Sequence, residues 1–253
     1  DLKKEYEKSN LVFYDPNSNK GIYHPGMYIE RSENSDYYFQ FYPGWPILLS
    51  LWGAIFGIFN QTYVMALLYV LTIFLFYFGL NRLHVSGFSS LLATILLGTS
   101  PLLVFLTKYP TSELFLLFLF CLTLYMLSCK NIFEYVVAGL AVLLFCFSHI
   151  SSFMYMPILI LFILFSYIFK KHEYSVFLVV SFIGGLLSIP LGYFISKQYF
   201  IDIYINAFGN YVGSSNALSI GVTIISLCWL AGLISSVILL RKHLMLRGAS
   251  QND

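Results

Sequence analysis

Few side chains in this sequence can do chemistry, and those that can gather at breaks between apolar runs. The most informative break is Thr107-Lys108-Tyr109-Pro110-Thr111-Ser112-Glu113. Glu113 is the only carboxylate between Asp36 and Glu134, and it opens an apolar run behind Pro110. A carboxylate held at a membrane boundary can bind a metal, orient a sugar hydroxyl or act as a base. In the first turn of a helix it also offsets the macrodipole by roughly 0.3–1 kcal/mol, with Thr111 and Ser112 as ordinary caps. Lys108 can pair with a phosphate or snorkel to the interface. His149 ends another apolar run in Phe147-Ser148-His149-Ile150-Ser151-Ser152. There it can ligate a metal, contact a phosphate or hydrogen-bond at the interface. Before the first apolar run, His24, Glu30, Arg31, Glu33 and Asp36 are loop charges that solvation alone explains. Asp36, Gln40 and Tyr42 stand nearest the third break, Tyr42-Pro43-Gly44-Trp45-Pro46.

The elements that position these residues follow from composition. The chain of 253 residues is 58% hydrophobic, 19% aromatic and 10% charged, with mean hydropathy +0.77. Soluble domains carry about 25% charged residues. The deficit, with repeated apolar runs near the length of a span, predicts an all-α polytopic bundle. Residues 1–43 read as an extracytoplasmic ordered loop, because nine aromatic residues by Phe41 are too many for a disordered linker. Leu2 to Leu11 within it fit a short amphipathic helix. Residues 44–60 read as an interfacial or re-entrant helix that starts at Pro46, residues 61–247 as the bundle and 248–253 as a cytoplasmic tail. About seven spans are expected: Thr62–Leu80, Ser86–Leu106, Thr111–Ser128, Ile132–Phe147, Ser152–Phe169, Ser175–Ile195 and Ser219–Leu240.

Charge placement sets the expected orientation. With the N-terminal region outside, the inner connections hold Arg82, Lys130, Lys170, Lys171, Arg241, Lys242 and Arg247, and the outer connections after residue 43 only Lys108 and Lys197. Basic residues concentrate on the cytoplasmic side. The outer face then collects residues 1–43, the Lys108–Glu113 turn, the His149–Ser152 turn and the Ser196–Leu218 loop. The plasma membrane or endoplasmic reticulum is the expected location. The chain opens on Asp with no signal-peptide pattern. A polar outer segment needs a preceding transmembrane helix for delivery, so a fragment is expected.

The four cysteines lie in or at the edge of apolar runs without metal-site spacing, and packing accounts for them. Asn60-Gln61-Thr62 fits a glycosylation acceptor but abuts a membrane helix. Gly184-Gly185 and Gly192 suggest close helix packing. There is no Walker motif, dinucleotide fingerprint, HExxH or nucleophile elbow, and the basic tail is a topology signal that implies no nucleic-acid partner.

The order of these motifs resembles the N-terminal half of polyprenyl-phosphate-sugar-dependent glycosyltransferases of the GT-C superfamily. The protein O-mannosyltransferase and aminoarabinose-transferase type is the nearest in pattern, with dolichyl-phosphate-mannose mannosyltransferases alongside. The resemblance covers about residues 35–160. It rests on the Tyr42–Leu49 entry, Ile55-Phe56-Gly57, Asn81-Arg82-Leu83, Tyr109–Glu113 and the corner from His149 to Pro157. It implies a membrane-bound hexosyltransferase that moves sugar from a polyprenyl-phosphate donor to a protein, lipid or glycan on the outer face. Glu113 corresponds to a second acidic position; the main acid belongs to the first outer loop, where Asp1 and Glu5 stand, with Asp36 the better-placed carboxylate near the entry. Tyr42, Gln40, Trp45, Lys108, Tyr109, His149 and His24 are the implied substrate-binding set, with a divalent metal as a possible cofactor. The competing classes are a transporter, flippase or scaffold subunit, marked by mid-span charges and interrupted helices, and an O-antigen-type polymerase or ligase, marked by arginines in a long outer loop.

Overall fold

The computed structural model describes residues 13–14, 22–24, 27–29, 37–39, 43–57, 60–108, 111–129, 131–149, 155–195 and 214–249. Two units divide the chain: residues 1–43 with 189–223, and residues 44–188 with 224–253.

In the first unit, the segment expected to be an ordered loop contains four short strands in an antiparallel sheet. Its strands are β1 (Phe13–Tyr14), β2 (Ile22–His24), β3 (Met27–Ile29) and β4 (Tyr37–Phe39), in that order across the sheet. Tyr23 pairs with Tyr28, and Tyr28 with Tyr38. Aromatic and β-branched residues suit a pleated surface, and the Pro25-Gly26 turn signal stands between the paired residues His24 and Met27. The helix expected over Leu2–Leu11 lies outside the described residues.

From Gly44 onward every regular element among the described residues is helical. Helix α1 (Gly44–Phe56) begins two residues before the expected start at Pro46. Pro46 is tolerated because first-turn N–H groups have no intrahelical acceptor. Gly57, at φ +92°, ends α1 in the left-handed region that glycine adopts without strain. The turn is tied by Trp52, whose Nε1 donates to the Asn60 carbonyl at 2.9 Å.

Helix α2 (Gln61–Arg82) follows, with the Arg82 guanidinium 4.3 Å from the Tyr125 ring centroid. The span expected over Ser86–Leu106 is instead two helices, α3 (Gly87–Gly98) and α4 (Pro101–Leu106). Pro101 has no N–H to continue the ladder, and Ser100 before it is extended (ψ 123°). The break frees the Gly98 carbonyl, and the Tyr69 hydroxyl of α2 donates to it at 2.7 Å. In an apolar medium such a repair is obligatory. Tyr69→Phe is therefore expected to destabilise the protein by about 0.5–1.5 kcal/mol, the usual net worth of a hydrogen bond, measurable as a lower midpoint in detergent melting.

The remaining helices are α5 (Ser112–Leu127), α6 (Ile132–Ser148), α7 (Tyr155–Ile168), α8 (Ser175–Ile195) and α9 (Ser214–Ala249). Asn131 and Glu134 form a capping box at the start of α6. Three segments are long and apolar enough to cross a membrane by length and composition: Tyr63–Arg82, His172–Ile195 and Ile220–Met245. Helices α1, α3, α5, α6 and most of α7 are shorter apolar elements. Large apolar side chains cover the outside, among them Phe88 (77% exposed) and Ile55 (72%). Such a surface suits a membrane-embedded protein. Several buried hydroxyls return to their own helices, as Thr72 to Leu68, Thr123 to Leu119 and Ser236 to Gly232.

Two packing centres hold the second unit. One joins α1, α2, α5 and α6 around Trp45, Met65, Leu114, Phe115, Leu119 and Phe145. The other uses glycine. A Cβ at Gly184 would lie 2.8 Å from the Leu143 backbone, one at Gly185 2.3 Å from the Trp229 ring, and one at Gly232 2.0 Å from the Phe182 ring. Phe182 and Trp229 meet edge to face at 5.3 Å. The close packing expected of Gly184-Gly185 is present. All four cysteines are free, three of them buried.

Candidate functional site

The three breaks in the apolar pattern, far apart in sequence, meet at one end of the helices in the second unit. Helix α1 enters through Gly44, which touches the last turn of α6. A Cβ at Gly44 would lie 2.5 Å from Ser148 Oγ and 2.8 Å from the Phe147 carbonyl oxygen. Only a glycine fits there. Ser148 is itself fixed, its Oγ donating to the Leu144 carbonyl at 2.7 Å. The next residue, Trp45, is buried (5% exposed) and stacks on Phe115 at 5.3 Å. Phe115 sits one turn into α5, immediately after Glu113 and Leu114. The entry motif thus packs on both of the other two motifs.

His149 caps α6 in an extended conformation (φ −154°, ψ 138°), its N–H donating to the Phe145 carbonyl. Burial pushes the imidazole below its ordinary pKa, and the nearby Glu113 carboxylate acts in the opposite direction. The burial effect is the larger, so the ring is neutral at pH 7 and Glu113 is its charged neighbour. The sign of the stability effect follows. A histidine whose folded pKa lies below its unfolded value binds fewer protons when folded, so stability falls as pH drops from about 6.5 through the folded pKa. His149→Gln should flatten this part of the pH–stability curve, measured by denaturation between pH 5 and 7.5 and compared with wild type.

Glu113 is exposed in the first turn of α5. Thr111, at the N-cap, was expected to cap the helix, but its side chain makes no capping bond. Its Oγ1 is buried and has no hydrogen-bond partner among the described residues. An orphaned buried hydroxyl two residues before a carboxylate suits a bound polar group or water. Lys108, exposed in the turn after α4, places a cation three residues before the α5 cap. The first N–H groups of α5 add further donors.

Trp45 was expected among the substrate-binding residues, as an aromatic at the headgroup level. The structure places its ring in the core, where it joins α1 to α5. Sequence reasoning passed over Gly44 and Phe115, whose roles depend on contacts between distant segments. For Thr111 the missing capping bond was invisible in the sequence. Asp1, Asp36, Gln40, Tyr42 and Tyr109 lie outside the described residues. His24 is the last residue of β2, paired with Met27, and its side chain also lies outside them. Among the described residues no three His, Cys, Asp or Glu side chains gather as a metal group. Glu113 and His149 are two donors where a protein zinc site has three or four.

Comparison of the chain with protein-family models, with curated proteins and with solved structures gives no match.

Proposed function

We propose that this protein is a membrane glycosyltransferase that moves a sugar from a polyprenyl phosphate to a protein, lipid or glycan acceptor. The observation that supports it is the meeting of Gly44, Glu113 and His149 at one end of the helices, because these residues lie in the motifs that carry the resemblance. In this account α1 lies at the interface, α3 and α4 form one interrupted span, and seven spans result. The end bearing Glu113 faces the extracytoplasmic side.

The proposed reaction uses groups of the second unit. Glu113 accepts the proton of an acceptor hydroxyl. The hydroxyl oxygen attacks the anomeric carbon, and the bond from that carbon to the phosphate oxygen breaks with its electron pair on the phosphate. Lys108 and the N–H groups at the start of α5 stabilise the leaving polyprenyl phosphate. His149, neutral, and Thr111 hydrogen-bond the sugar or phosphate. No step runs through a metal.

The test is transfer of radiolabelled sugar from a panel of polyprenyl-phosphate donors by membranes holding the protein. Label in acceptor from at least one donor supports the proposal, and none across the panel opposes it. The interrupted α3–α4 pair is the one observation that favours a transporter, since unwound backbone can hold cargo. Against it, the freed Gly98 carbonyl is already occupied by Tyr69. Donor-independent uptake of a labelled solute by proteoliposomes would speak for the transporter.

A further inference from the structure

The turn between α7 and α8 collects unpartnered polar groups and cations that the proposed reaction does not use. Helix α7 closes through Lys170, which adopts a left-handed conformation (φ 55°). The Lys171 N–H donates to the Ser166 carbonyl at 2.9 Å. A single 3-10 turn, His172–Tyr174, then packs on α7 and leads into α8 at Ser175. Ser166 and Ser175 are fully buried and His172 is 5% exposed. Yet Ser166 Oγ, His172 Nδ1 and Ser175 Oγ have no hydrogen-bond partner among the described residues. Three buried polar atoms in ten residues of sequence are an unusual concentration, because such groups are normally paired.

Cations lie near His172. Lys242 of α9 places its Nζ 5.5 Å from the ring centroid of Tyr167, in the last turn of α7. His172 lies within electrostatic reach of Lys242, His243 and Lys170. The one carboxylate in the turn, Glu173, lies beside Tyr135 and Tyr174. Among the described residues no carboxylate is within salt-bridge distance of Lys170 or Lys242. Unpartnered protons and cations together at the end of a helix suit an anion with several acceptor oxygens.

We propose that the α7–α8 corner binds the phosphate of an anionic membrane lipid, with Lys170 and Lys242 as cationic contacts and His172 as the buried donor. A phosphate diester supplies acceptors for the lysines and for the imidazole and hydroxyl protons together. Basic pockets between membrane helices are a known way to hold anionic headgroups. The site is separate from the one built around Glu113, and it stands whether or not that site transfers sugar.

Native mass spectrometry of the whole chain in detergent tests it, with phosphatidylglycerol and phosphatidylcholine as probes. Phosphatidylglycerol should be retained at least about 10-fold better, as expected of a site that recognises net negative charge. Lys170 and Lys242 are exposed, so the Lys170→Gln, Lys242→Gln double variant keeps its fold, which a melting curve checks. It should hold phosphatidylglycerol about 20-fold more weakly, a few-fold for each lysine. Arg82→Gln removes a helix-end cation away from the corner and should change retention less than about twofold. Equal retention of the two lipids overturns the proposal, as does an Arg82→Gln loss as large as that of the double variant. Millimolar inorganic phosphate that binds without any preference between the lipids overturns the lipid and leaves a free anion as the ligand.

Discussion

Glu113→Gln should abolish sugar transfer while leaving the helices in place. The side chain is exposed and makes no hydrogen bond or ion pair with another described residue, so the fold does not depend on it. Glutamine keeps its shape and loses only the charge. The structural cost is bounded by the helix-dipole contribution, about 0.3–1 kcal/mol. The loss of a general base is far larger, on the order of 10²–10⁴-fold in rate. The measurement is initial transfer rate at saturating donor, beside a melting curve of the same preparation. An unchanged melt with transfer lost assigns Glu113 to the chemistry. Transfer at the wild-type rate reduces it to a helix-end charge.

Gly44→Ala should produce a large structural effect for a single methyl group. The added carbon would sit 2.8 Å from a backbone carbonyl oxygen and 2.5 Å from a hydroxyl already engaged with its own helix. Neither neighbour is the free end of a flexible side chain, so α1 must move away from α6. Overpacking of this kind costs about 1–3 kcal/mol. The displacement also pulls on the Trp45–Phe115 stack and on the turn holding His149, so transfer should fall with stability. Gly87→Ala is the control, because nothing lies within 4 Å of a Cβ there. It should leave the melting midpoint and transfer unchanged. Equal midpoints for the two variants would contradict the tight α1–α6 contact.

How much of this was legible beforehand depended on which interactions a sequence encodes locally. Hydropathy reports the solvent each segment prefers, and it located most of the helices from Gly44 onward and most of the breaks between them. The Gly184-Gly185 pair was legible because small residues in an apolar run have few uses besides close packing. The interruption at Pro101 was missed because its neighbours are as apolar as a continuous span, and only the ring of Pro101 marks the stop. The sheet was missed because strands of two or three residues are too short to show alternation. Trp45 shows a different limit. An aromatic at the edge of a membrane helix looks the same in sequence whether it meets headgroups or the next helix, and the decision is made by Phe115, seventy residues away. The convergence of Gly44, Glu113 and His149 was likewise beyond the sequence, since it arises from the packing of α1, α5 and α6.

The most direct test of the proposed site is photolabelling with a polyprenyl-phosphate sugar that carries a reactive group near its phosphate. The labelled peptides of the protein would then be mapped. Labels in the segments holding Lys108 to Phe115 and Ser148 to His149, removed by excess unlabelled donor, are the predicted result. Labels confined to segments away from both, such as the Phe182–Trp229 contact, or labels that excess donor does not displace, would contradict the account.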